Sequence, residues 1–115
     1  MAAQIAGDLN VVIIGWNDST AQVSSVKDTK GNVYQLVAGP TVTGALSQAI
    51  YCAKNITAAS AATNVVTVTF NAAANFPDIR LAEYSGIDPV NPVDTFVGAT
   101  GNSGTSSSGA ATTTN

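Results

Sequence analysis

A chain of 115 residues with a net charge of −3 is one small domain, and 45% hydrophobic residues suffice for a core. Charged residues make up only 10%, against about a quarter in an ordinary soluble domain, so Ser, Thr, Asn, Gln and Gly must carry the surface, as in extracellular β-rich modules rather than cytosolic enzymes. Lys27, Lys30, Lys54 and Arg80 form no basic run, which argues against nucleic-acid binding; no apolar stretch approaches the roughly 18 residues of a membrane span; and "MAAQIAGDLN" lacks the basic-then-apolar pattern of a signal peptide.

Period-two patterning runs through most of the chain. LNVVIIGW (9–16) is a continuous β-branched run, the pattern of a strand buried on both faces. AQVSSVKD (21–28) alternates, and the Ser24–Ser25 pair between Val23 and Val26 predicts a bulge. DTKGN (28–32) has the chemistry of a type I turn closing on a left-handed Gly31, expected to be a hairpin into the return strand VYQLVAG (33–39). GPTVTG (39–44), with its Gly and Pro, reads as a loop. ALSQAIYCAKN (45–55) reads as a strand with Leu46, Gln48, Ile50 and Cys52 on one face; its Ala content would allow a helix, but Ile50, Tyr51 and the flanking Gly favour the strand. ITAASAATN (56–64) is a loop or one short helical turn. VVTVTFN (65–71) alternates cleanly, Val66, Val68 and Phe70 against Val65, Thr67 and Thr69. AAANFPD (72–78) turns, IRLAEYSGI (79–87) is a sixth strand, and Pro89 and Pro92 force DPVNPVD (88–94) into an extended loop.

Six short strands with hairpin-length loops and no convincing helix imply an all-β fold, an antiparallel sandwich or barrel. The expected core is Val11 and Ile13, or their alternates Val12 and Ile14, with Leu36, Ile50, Val66, Val68, Phe70, Ile79 and Leu81. Residues 1–100 carry the strands. Residues 101–115, GNSGTSSSGAATTTN, have the composition of a loop or linker, although the closing ATTTN is compatible with a strand.

Side chains that could carry chemistry are few. The chain has no His, so no Ser–His or Cys–His pair can form, and the lone Cys52 in an apolar run reads as a buried small hydrophobe. Glycosidic chemistry needs two acids facing one cleft; only Glu83 lies in a predicted strand, and spacing places no second acid beside it. The other acids sit at turns, where Asp bonds its own backbone. Calcium would take oxygen ligands from loops, with Asp88, Asn91 and Asp94 as candidates and Asn17 and Asp18 as a second group, but neither matches an EF-hand spacing. A sugar-stacking platform would use exposed aromatics, Trp16 and Tyr84 foremost; the competing reading is core and rim packing. For a Lys–Asn or Lys–Asp isopeptide bond assisted by a catalytic acid, Lys54 with Glu83 is the only internal pairing on strands, and Lys54 ends its strand beside Asn55, exposed. Asn17-Asp18-Ser19 and Asn55-Ile56-Thr57 match the N-x-[ST] acceptor triplet, which matters only in a eukaryotic secretory host.

Ordered landmarks run along the chain: N-x-V at Asn10, W-x-D at Trp16, D-x-x-G-N at Asp28, Y-x-A-K-N-I at Tyr51, and E-Y-S-G at Glu83 before the Pro-rich loop. In these the chain resembles, over about residues 7–115, a bacterial extracellular β-sandwich domain that recurs in large secreted or surface proteins of soil bacteria. No catalytic residue comes with the resemblance. Cys52 departs from it, standing where a second aromatic is expected. Copies in that family continue past a Gly/Ser-rich segment into further strands, so the resemblance makes Gly101 to Gly109 a crossing loop and Ala110 to Asn115 a strand start. What it implies is a jelly-roll-like sandwich, incomplete as it stands and completed by a complementary C-terminal fragment or by a second copy through strand edges. The resulting expectation is a non-catalytic, secreted or cell-surface structural or adhesion module, with glycan binding through Trp16 and Tyr84 as the alternative.

Overall fold

A computed structural model describes residues 2–105 and 107–114. Six strands, and no helix among the described residues, make up the regular structure: β1 (Leu9–Trp16), β2 (Val23–Asp28), β3 (Gln35–Thr43), β4 (Leu46–Ala53), β5 (Val66–Phe70) and β6 (Asp78–Tyr84). All pairings are antiparallel. They form a four-stranded sheet in the order β3-β4-β1-β6 and a separate two-stranded sheet of β2 and β5.

The β-branched run of β1 suits it to one of the two interior positions, and pairing on both sides decides which alternate residues face the second sheet. Partnered residues share a face. Val12 stands between Tyr51 and Leu81, and Ile14 between Ala49 and Ile79. This face carries the core: Val12, Ile14, Trp16 and Ala49 of the large sheet meet Ala21 and Val26, with Val66, Val68 and Phe70 of β5 packed against them. Trp16 and Phe70 meet edge-to-face at 5.3 Å between ring centroids. The two sheets therefore pack face to face as a β-sandwich-like unit.

The opposite face of the large sheet holds Val11 and Ile13 with Cys52 and Ile50 of β4. The chain after β6 returns over this face: Lys54 Nζ donates to the Val90 carbonyl, and a Cβ placed on Gly98 would stand 3.4 Å from Thr41 Oγ1. Cys52 is consequently buried although it points away from the core.

Several expectations need correction. The turn at 28–32 forms, with Gly31 at φ +75°, but it is not a hairpin: β2 pairs with β5 and β3 with β4, so the turn carries the chain from one sheet to the other. Residues 39–43 continue β3 instead of looping. The edge position tolerates Pro40, two register shifts absorb the irregularity, and the reversal falls at Gly44. Ile50 leaves the core because its register partner is Ile13, not Ile14. Leu36 and Ile79 do face the second sheet but remain 45% exposed, because two strands cannot cover four. The predicted bulge in β2 is present between Val23 and Ser25. Residues 110–114 form no strand; Asn115 lies outside the described residues.

Candidate functional site

The two aromatics expected to stack on a sugar are not brought together. Trp16 is 3% exposed, with its indole NH donating to the Ala21 carbonyl at 3.0 Å, so neither ring face is open to a ligand. Tyr84 is half-exposed on the opposite face, opposite Leu9, and the seven-residue offset along β1 separates the two by roughly 23 Å at about 3.3 Å per residue.

The acids proposed for calcium are engaged by donors of the chain itself. Asp88 Oδ1 accepts the Val90 amide at 2.8 Å, and this bond, with those from Asn91 and the charge of Lys54, holds its carboxyl below the usual range. Asp94 accepts from the amide and hydroxyl of Thr114. Asp18, in the second group, is a staple between two loops: Oδ2 accepts the Asn75 amide at 2.9 Å, Oδ1 accepts the Ala21 and Thr20 amides at 2.7 and 2.9 Å, and its carboxyl is lowered accordingly. Among the described residues, no group of three or more Cys, Asp or Glu side chains is placed to hold a metal ion.

One end of the molecule carries a partly buried polar cluster that spacing could not reveal. Asp28, at the end of β2, is its hub. Oδ2 accepts from Asn32 Nδ2 at 2.7 Å, Asn64 Nδ2 at 2.9 Å and the Tyr34 hydroxyl at 3.1 Å, while Oδ1 accepts the Lys30 and Asn32 amides at 3.1 and 3.0 Å. Burial opposes ionisation of this carboxyl, but the donors outweigh it and hold it below the ordinary value. Gln4 extends the cluster, donating to Asn10 Oδ1 and accepting from Asn64 Nδ2, both at 2.7 Å. Tyr34 is pushed up to about 12 by burial, with the neighbouring Asp28 charge adding to it.

Sequence spacing also missed a pair of acids. The β1–β6 register sets Glu83 opposite Asn10, which brings it beside Asp8. Burial, a side-chain hydrogen bond shared with Glu83 and Glu83's charge push Asp8 up, while Glu83 Oε1 accepts the Ile5 amide at 2.8 Å. Lys54, considered with Glu83 as a cross-link, instead reaches Val90.

Asn32 links the polar cluster to an open groove of about 540 Å³ on the outer face. Its walls are the turn at Gly31–Val33 and the Pro89–Val93 segment, and its floor is formed by Gln35, Val37, Cys52 and Lys54. Both walls are tied down: Asn32 Oδ1 accepts the Thr57 amide at 2.9 Å, and the opposite segment is held by Lys54 and by the Asp88 turn. Burial raises the Cys52 thiol above its ordinary value, with the charge of Lys54 opposing.

No protein-family model matches the chain, and comparison with curated proteins and with solved structures finds no similar protein.

Proposed function

We propose that the chain is a non-catalytic structural or adhesion module of the cell surface or extracellular space, a partial jelly-roll-like sandwich that associates through its strand edges with a complementary polypeptide or with a second copy of itself. The mismatch between the layers carries this reading. The four-stranded sheet is covered by only two strands, which leaves Leu36, Val42 and Ile79 on its inward face 45–46% exposed. Apolar residues of this size, facing a core and flanked by edges of β2 and β5 that pair with no further strand among the described residues, are the surface that an added strand covers. The saturated carboxylates of Asp18 and Asp28 fit a structural role, since each is committed to holding loops. A surface rich in Ser, Thr and Asn fits an extracellular setting.

Size-exclusion chromatography with light scattering tests the association. A dimer, or a stoichiometric complex with a second polypeptide, is the expected result. A folded 11.5 kDa monomer that stays monomeric at high concentration overturns it.

A further inference from the structure

We propose that the groove between the Gly31–Val33 turn and the Pro89–Val93 segment is a binding site for a neutral saccharide. The inference is independent of the association reading, because the groove lies on the outer face and away from the exposed inner-face residues.

Its size falls in the range of small-molecule sites, roughly 300–1,000 Å³. Its polar lining is mostly amide. Gln35, Asn55 and Asn91 border it, and their side chains have no hydrogen-bond partner among the described residues. A carboxamide offers a donor and an acceptor side by side, which matches a pair of neighbouring hydroxyls that each donate and accept. Pro89, Pro92 and Val37 supply apolar surface of the kind that the C–H face of a pyranose ring covers.

Charge selects against ionic ligands. Among the described residues no acid lines the groove, and the one cation there, Lys54, is engaged by the Val90 carbonyl and faces the Asp88 carboxylate. A phosphate or carboxylate would have to compete with an anion already in place. The walls are held by Asp28 through Asn32 and by Lys54 through Val90, so little ordering remains to oppose binding. No aromatic ring among the described residues lines the site, and the affinity expected is therefore in the millimolar range.

The test is a titration of the ¹⁵N-labelled full chain with maltotriose, cellotriose, xylotriose and N-acetylchitotriose, followed by amide chemical shifts, with sodium phosphate and sodium acetate as ionic probes. At least one neutral sugar should give saturable shifts centred on residues 31–33, 52–57 and 89–93. Gln35→Ala and Asn91→Ala should each weaken it roughly fivefold, the loss of about one hydrogen bond. Both residues are exposed, and an unchanged amide spectrum elsewhere verifies that the variants fold. Tyr84→Ala should bind as the parent does. The proposal is overturned by no saturable shift with any of the four sugars, by shifts centred elsewhere, or by tighter binding of phosphate or acetate. It is equally overturned if both amide variants bind unchanged, or if Tyr84→Ala abolishes binding.

Discussion

Asn64 Nδ2 donates to Asp28 Oδ2 at 2.9 Å, joining the end of β2 to the loop before β5 across 36 positions of sequence. The same carboxylate oxygen receives Asn32 and Tyr34, so one acid holds the turn between the sheets and the loop beside it. Removing it takes one acceptor from the buried Asn64 amide and from the half-buried Asn32 and Tyr34 side chains. Asp28→Ala should cost about 3 kcal/mol, measured by urea unfolding. In a double-mutant cycle Asp28→Ala and Asn64→Ala should be clearly non-additive, and additive losses would show that the two are not coupled.

Acid should expose the opposite signs of Asp18 and Asp8. Asp18 has a lowered folded-state pKa, so its contribution is present above the unfolded value of about 3.9 and is lost as pH falls through the lower folded value. Asp18→Asn should flatten the fall of stability below about pH 4. Asp8 is raised, so its ionised form opposes folding at neutral pH and the penalty lifts on acidification. Asp8→Asn should stabilise the protein at pH 7 and lose that advantage near pH 3, as read from unfolding midpoints. Destabilisation at pH 7 would contradict the assignment.

Alkali acts through Tyr34. The folded phenol holds its proton to about 12, whereas the unfolded one releases it near 10, so stability declines between those values as the unfolded state loses its proton first. Tyr34→Phe should lower stability at pH 7 by removing the bond to Asp28, yet flatten the decline above pH 10. Parallel pH profiles for the two proteins would rule this out.

Gly39 should not tolerate a side chain. Its φ is +94°, and a Cβ there would lie 2.6 Å from the Gln48 carbonyl oxygen of the neighbouring strand. Gly39→Ala should cost at least about 2 kcal/mol, combining left-handed strain with displacement of backbone. An unchanged thermal midpoint would argue against this path for β3.

Trp16 is the only tryptophan, and its burial makes it a reporter of the sheet–sheet interface. Native fluorescence should be blue-shifted and should move to the red together with loss of the β circular-dichroism signal. Trp16→Ala should cost about 3–5 kcal/mol, and a small loss would indicate that the ring is not in the core.

The strands were legible because their cause is local. Period-two alternation of β-branched residues puts VVTVTFN in a strand whatever surrounds it, and the Ser24–Ser25 interruption marks a bulge for the same reason. Gly31 declares a left-handed position by its lack of a Cβ. Pairing partners were not legible, because a turn such as DTKGN serves equally between two strands of one sheet or of two. From that ambiguity the rest follows: whether Val11 or Val12 enters the core, and whether Ile50 or Ala49 faces it.

The candidate site depended on tertiary structure to a greater degree. The sequence determined by itself an all-β chain, poor in charge, with acids at its turns and an unpaired cysteine in a strand. Only the folded arrangement decided that Trp16 is buried, that Asp8 meets Glu83, and that Asn32, Gln35, Asn55 and Asn91 border one groove. Hydrogen bonds and register act between residues far apart in the chain, and spacing along one strand carries no record of which residue will lie opposite.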